Sequence, residues 1–324
     1  MEQQFKMLMR FALKKQASDI HLILKERKLQ IYLRTPMGYQ KIKQDLFDVR
    51  LMEYLKYISG MDLCSKWEPQ SGSMETELDG SSVSSRFSVI TTGEVCTGVL
   101  RILAARKDLT IRQLSSNPDI SRYLTDLCGL DHGLVLCAGP TGSGKTTTLH
   151  AILHEMAATQ NRKIVSLESP VEIPDTAYLQ LEVNEDLGFD YEKGLEQLLR
   201  HDPDVILIGE CRSASVAKTL IQASLTGHLV FCTIHAANGK EIISRMMEFG
   251  IPDSEIKTVL QAMFALRMVI KDQKKECIYE TWNRSQIEEY FDKGYSTVIP
   301  MEVRAAKALE QGWKEAGKGN LRSC

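Results

Sequence analysis

No apolar run in this chain approaches the ~18 residues that a helix needs to span a bilayer. At the N-terminus Glu2, Lys6, Arg10, Lys14 and Lys15 break up the apolar residues, so there is no signal-peptide core, and a cytosolic location is expected. No run of Lys or Arg exceeds two residues, and the net charge is −2 over 324 residues. The sequence therefore carries no obvious nucleic-acid-binding stripe. Cys64, Cys96, Cys128, Cys137, Cys211, Cys232, Cys277 and Cys324 form no C-x₂₋₄-C pair, which removes the usual zinc spacing. Cys137 and Cys232 lie inside apolar stretches and read as small, reduced hydrophobes. Internal repeats and low-complexity tracts are also missing. What is present, 43% hydrophobic and 25% charged residues, describes an ordinary globular chain long enough for about two domains.

The first hundred residues mix helix and strand without a βαβ rhythm. Phe5, Leu8, Met9, Ala12 and Leu13 make one helical stripe, and a second helix is expected over about 45–59. Leu29, Ile31 and Leu33 alternate with polar residues, and strands are expected near 73–79, 83–91 and 95–103, broken at Asp79-Gly80 and Gly93-Glu94. This predicts a small α+β domain over 1–104 and a linker at 105–110, where charge replaces the apolar pattern. Apolar strands then recur at 133–138, 163–168, 205–209 and 229–234 between helical segments, so an α/β domain with a parallel sheet is expected over 111–270. The Lys- and Glu-rich remainder, 271–324, reads as a helical appendage.

Within that second domain, Gly139-Pro140-Thr141-Gly142-Ser143-Gly144-Lys145-Thr146 is a complete G-x-x-x-x-G-K-T phosphate-binding loop. The apolar run 133–138 precedes it. Leu149, Ile152, Leu153 and Met156 follow at helical spacing, with Thr147 in the helix's first turn. A strand turning through glycines into a helix N-terminus aims backbone N–H groups and the positive helix end at one point, which suits a polyphosphate. Lys145 is expected to reach the β- and γ-phosphates of ATP and the Thr146 hydroxyl to ligate Mg²⁺.

Three further segments reach strand ends. Ile164–Glu172 ends in two carboxylates, Glu168 and Glu172. Asp202–Glu210 closes on Gly209-Glu210, and Thr226–His235 is bracketed by His228 and His235. In this order the segments resemble the secretion and type IV pilus motor ATPases, relatives of RecA-like hexamers. The resemblance covers roughly 15–270. It takes in Ala17-Ser18-Asp19-Ile20-His21-Leu22, Pro69-Gln70-Ser71-Gly72, Arg86-Phe87-Ser88, Gly93-Glu94 and Leu100-Arg101-Ile102-Leu103. The chain lacks the extra N-terminal module and the paired-cysteine insertion of the large secretion members. It is most similar to the competence-pilus assembly ATPases of Gram-positive bacteria, as is the stretch from Val183-Asn184-Glu185 to Gly188-Phe189-Asp190-Tyr191.

The resemblance implies a RecA-like ATPase domain behind a PAS-like one, with ATP and Mg²⁺ as ligands. Glu168 would deprotonate the attacking water, and Glu210 would meet Mg²⁺ through water. His228 and His235 would sense the γ-phosphate. Arg86 and Arg101 would close on the nucleotide, with Arg200 and Arg212 as further candidates. It also implies a homo-oligomer, a hexamer, docked on a membrane platform protein at the inner face of the cell membrane, with no direct nucleic-acid contact. Pilus assembly, retraction and type II secretion stay open. So does a scaffold that binds nucleotide without turnover, because Ser169 and Ser213 stand where the family keeps aspartates, and Ser71 replaces another. A Gln-Arg pair is Leu266-Arg267 here.

Overall fold

The first helical stripe folds as α1 (Glu2–Lys14), burying Phe5, Leu8, Met9 and Ala12. In the computed structural model, described over residues 1–42, 46–65, 67–103, 110–159, 161–184, 188–271, 274–294, 296–310 and 314–315, the chain divides into two compact units, Met1–Ala105 and Arg106–Glu315. The expected linker lies outside the described residues apart from Thr110, as does Glu185.

In the first unit α1 is followed by β1 (Asp19–Lys25), β2 (Lys28–Thr35), β3 (Gly38–Lys41), α2 (Leu51–Ile58), β4 (Gln70–Leu78), β5 (Ser81–Thr92) and β6 (Val95–Leu103). The strands form one antiparallel sheet in the order β3-β2-β1-β6-β5-β4. Asp79 and Gly80, at φ 52° and 83°, supply the two left-handed positions that a tight β4–β5 hairpin needs. Ile20, Leu22, Ile31, Leu33, Phe87 and Leu100 share the buried face with both helices. The opposite face carries the polar residues, as period-two alternation requires.

The second unit contains α3 (Ile111–Leu114), α4 (Pro118–Cys128), β7 (Gly133–Ala138), α5 (Lys145–Thr159), β8 (Ile164–Glu168), β9 (Leu179–Glu182), α6 (Tyr191–Leu199), β10 (Val205–Cys211), α7 (Ala214–Leu225), β11 (Leu229–Ile234), α8 (Gly239–Glu248) and α9 (Asp253–Val259). These are followed by β12 (Leu260–Lys271), β13 (Lys274–Trp282), α10 (Arg284–Lys293), α11 (Met301–Glu310) and β14 (Lys314–Glu315). The sheet runs β13-β12-β7-β11-β10-β8-β9, parallel from β12 to β9, with β14 beside β12. Two apolar cores, one on each face, explain why β7, β8 and β11 are buried at every position. No helix among the described residues is long and apolar enough to cross a membrane.

The expected helical appendage needs correction. Its first described residues after Lys271 are β13, paired antiparallel with β12 from Met263↔Trp282 to Lys271↔Lys274, and among the described residues beyond it α10 and α11 are helical. The reason is packing: Cys277, Tyr279 and Trp282 are buried, and Lys274, Lys275 and Glu276 gave the segment a solvated composition. Glu280, 1% exposed, ties this strand down. Its Oε1 accepts from Gly239 N at 2.8 Å and Trp282 Nε1 at 2.7 Å, and its Oε2 accepts from Met301 N. One carboxylate thereby satisfies the starts of both α8 and α11.

Glu280→Ala would strand three buried N–H groups at about 1–3 kcal/mol each. We expect a loss of about 3 kcal/mol or more, read as a thermal midpoint lowered by roughly 6–12 °C. Glu280→Gln, which keeps one acceptor oxygen, should lose less. An alanine variant unfolding with the parent would contradict this anchoring.

Candidate active site

The loop between β7 and α5 is shaped by three glycines in left-handed or mirror-image backbone. Gly139, Gly142 and Gly144 have φ of 150°, 75° and 102°. At Gly139 a Cβ would lie 2.4 Å from the Leu266 carbonyl oxygen of β12 and 2.7 Å from Ser143 Oγ, so no side chain fits. Ser143 is buried, and its Oγ has no hydrogen-bond partner among the described residues. Its carbonyl accepts from Cys277 Sγ at 3.5 Å. Pro140, Thr141 and Gly142 are exposed, and Thr146 and Thr147 are half-buried at the start of α5. Lys145 Nζ donates to the Gly139 carbonyl at 2.8 Å and the Pro140 carbonyl at 3.2 Å, which keeps its ammonium over the loop. Burial lowers the Lys145 pKa, while the Cys137 thiol and the carboxylates of Glu210 and Glu172 push it back up. The donor set, amides at a helix N-terminus with a lysine and a hydroxyl, fits a polyphosphate and its Mg²⁺.

β10 brings the next group to the same edge of the sheet. Its register against β11 goes from Ile208↔Cys232 to Cys211↔Ile234, so one extra residue bulges out at Gly209-Glu210. Thr233 Oγ1 donates to the Gly209 carbonyl at 2.5 Å and holds the bulge. Glu210 is thereby set between His235 Nε2, 2.7 Å from Oε1, and Arg212 Nη2, 2.5 Å from Oε2. Ser213, in place of a family aspartate, accepts from Val216 N at 3.3 Å and caps α7. Serine and aspartate cap helices about equally well. That replacement preserves the local structure.

At the end of β8 the geometry departs from expectation. Glu168 is 4% exposed, and both its oxygens are engaged. Oε1 accepts from Ser166 Oγ at 2.7 Å and Gln180 Nε2 at 3.2 Å, and Oε2 lies 3.2 Å from His150 Nε2. His150 Nδ1 in turn bonds the Tyr178 hydroxyl. The carboxylate is therefore fastened to α5 and β9. Glu172, four residues on, is the acid of this segment whose charge acts on Lys145. His150, Tyr178 and Gln180 carried no sequence signal, because a histidine inside a helix two turns past a phosphate loop has no motif of its own.

Two expected residues lie elsewhere. His228 precedes β11, and its carbonyl accepts from Gly133 N at the start of β7, the edge opposite the loop. Its Nδ1 lies 3.1 Å from both Thr226 Oγ1 and the Ala223 carbonyl. Six residues of strand separate it from His235, about 20 Å at ~3.3 Å per residue. Arg200 follows α6 as its C-cap, at the helix end away from Tyr191. Only His235 and Arg212 of these four candidates stand with Glu210.

In the first unit, Arg86 and Arg101 are direct cross-strand partners. They belong to one row across the polar face: Arg34, Asp19, Arg101, Arg86 and Ser73. Arg101 Nε donates to Asp19 Oδ1 at 2.9 Å, and Arg86 Nη2 donates to Ser71 Oγ at 3.3 Å. Arg34, unremarked in the sequence, is the cross-strand partner of Asp19 on the side away from Arg101, and its guanidinium lies over the Tyr39 ring, 5.3 Å from the centroid.

Residues 1–308 match the family described as Type II/IV secretion system protein, and the chain belongs to that family. It is 39% identical over 256 residues, 78% of its length and 72% of the relative's, to the Competence protein ComGA of Bacillus subtilis. It is 36% identical over 261 residues to the Type II secretion system protein E of Klebsiella pneumoniae, covering 80% of this chain but 52% of that protein. The fold is that of the X-ray structure of the Legionella pneumophila ATPase DotB, with a TM-score of 0.76, 20% identity and coverage of 95% and 92% of the two chains.

Lys145→Ala removes a side chain bonded only to loop carbonyls, so nucleotide affinity should collapse while circular dichroism and the unfolding midpoint stay with the parent. Titration with a fluorescent ATP analogue checks this, and unchanged affinity would contradict the loop's assignment.

Proposed function

For a member of this family, we propose that the chain is a cytosolic Mg²⁺-dependent ATPase. It works as a hexameric ring at the inner face of the cell membrane and couples turnover to assembly of a competence pseudopilus on a membrane platform protein. One observation carries the enzymatic part: Lys145, Glu210, Arg212 and His235 are gathered at one sheet edge around a complete phosphate loop. The 39% identity to a protein named for competence supports the pilus reading, and the type II secretion relative keeps a secretion role as the alternative.

In this reading the backbone N–H groups of residues 141–146 and the Lys145 ammonium bind the β- and γ-phosphates. Thr146 Oγ1 would hold Mg²⁺, and Glu210 would accept from a Mg²⁺-bound water. A carboxylate has about four lone-pair directions, and Glu210 Oε1 accepts no hydrogen bond among the described residues, so its contacts with His235 and Arg212 leave room for that water. Bound Mg²⁺ supplies charge neutralisation at the transferred phosphoryl group. Arg212 and His235 keep the Glu210 carboxylate oriented. For the proton of the attacking water, Glu172 is better placed than Glu168, whose oxygens already serve Ser166, Gln180 and His150. Glu168 then fixes the strand end from which Glu172 extends. Arg101 and Arg86 would stabilise the charge that builds on the γ-phosphoryl oxygens, in the manner of an arginine finger.

Turnover and binding measured on the same samples test these roles. Glu172→Gln should lower kcat by about 10²–10⁴-fold while ATP still binds. Glu168→Gln should act mainly on stability, through loss of the buried network. Arg101→Ala should keep binding and lose about 10³-fold in turnover, with Arg86→Ala similar or milder. Normal turnover in Glu172→Gln alongside a dead, well-folded Glu168→Gln would return the base to Glu168. Parent rates in both arginine variants would remove the first unit from the reaction.

A further inference from the structure

Gly209 stands where no side chain can. A Cβ built on it would meet the Tyr191 hydroxyl oxygen at 2.9 Å, with Glu168 Cα and the Leu167 carbonyl oxygen both at 3.3 Å. Tyr191 is the first residue of α6, and Asp190, whose side chain accepts from Lys193 N at 2.8 Å, fixes where that helix begins. The half-buried ring packs on the core beneath the sheet edge, and its hydroxyl is delivered to the strand end between Glu168 and Glu210. Burial raises the phenol's pKa. The Cys232 thiol and the Glu210 and Glu168 carboxylates push the same way against Arg212, so the group is an O–H donor at neutral pH. No hydrogen bond to that hydroxyl is formed among the described residues, and the half-buried group is not sealed from solvent. A phenol donor within the influence of two carboxylates and a guanidinium is free to bond a water held at this strand end.

We propose that Tyr191 is a catalytic residue whose hydroxyl donates a hydrogen bond to the water that attacks the γ-phosphate. This deepens the ATPase reading and rests on it. In the step, the water oxygen bonds the γ-phosphorus, the bond to the β-phosphate oxygen breaks, ADP leaves with that electron pair, and the water's proton passes to the carboxylate. The attacking oxygen needs one lone pair toward phosphorus and one proton toward the base. A donor on its remaining side holds it on line. The side-chain-free Gly209, pinned by Thr233, clears the space in which the phenol oxygen sits.

Tyr191→Phe removes one oxygen and leaves the ring. We expect kcat to fall about tenfold or more, the cost of one lost hydrogen bond of about 1.4 kcal/mol. KM, affinity for a fluorescent ATP analogue and the unfolding midpoint should stay within about twofold or a degree or two of the parent. A purely structural tyrosine would move the midpoint without splitting kcat from KM. Gly209→Ala provides a check on the geometry that does not depend on activity. Its methyl should lower the unfolding midpoint of the parent and lower it less in a Tyr191→Phe background, where the 2.9 Å contact is gone. Parent-like turnover in Tyr191→Phe, or strictly additive midpoint losses, would overturn the proposal and leave the ATPase reading standing. A parent protein that binds ATP but never releases phosphate would overturn both.

Discussion

The methyl group that Gly139 lacks would sit 2.4 Å from the carbonyl oxygen of Leu266, so the phosphate loop can lie this close to β12 only with glycine at that position. The contact joins two distant parts of the chain. β12 is the strand that pairs with β7 on one side and β13 on the other, and β13 sends Cys277 to the Ser143 carbonyl and Tyr279 to Thr148 at 2.9 Å. One residue beyond Tyr279, Glu280 holds the first turns of α8 and α11. A displacement of the loop on binding phosphate would therefore be felt through one hairpin by two helices on the other side of the sheet. Close packing leaves few intermediate arrangements for such a chain of contacts.

Beside this floor, the charges are arranged by strand order. β11 lies between β7 and β10, so His235 at its end is interposed between Lys145 and Glu210, and the bulge at Gly209-Glu210 turns the carboxylate toward it. Arg212 closes the group from the far side. The first unit holds its own row of arginines, with Arg34 and Arg101 in register on either side of Asp19 and Arg86 next to Arg101. There Ser71, where the resemblance expects an aspartate, gives Arg86 a neutral hydrogen-bond acceptor.

Much of this was legible in the sequence, for identifiable reasons. The loop declared itself because its glycines answer backbone demands that no other residue meets, and the flanking strand and helix because their apolar periods differ. The parallel strands were readable as short apolar runs, since both faces are covered. Three features were not. β13 hid behind the lysines and glutamates at its start, and its buried Cys277 and Tyr279 pack in one core while Trp282 packs in the other, a pattern too short to stand out from a helical one. His228 and His235 looked like a pair because sequence spacing does not show that an extended strand puts its two ends at opposite edges of a sheet. The occupation of Glu168 was hidden because His150 and Gln180, which bond it, lie eighteen residues before it and twelve after it in the chain.

The central claim is that a loop built for phosphate, with its carboxylates and arginines, turns ATP over. It is tested most directly by following inorganic phosphate released from ATP by the full chain, with Mg²⁺ present and then chelated, while light scattering reports its assembly state. The account predicts sustained release that requires Mg²⁺ and rises as the chain assembles. Tight ATP binding with no phosphate released at any Mg²⁺ concentration, by an assembled ring, would contradict it and leave a nucleotide-bound scaffold.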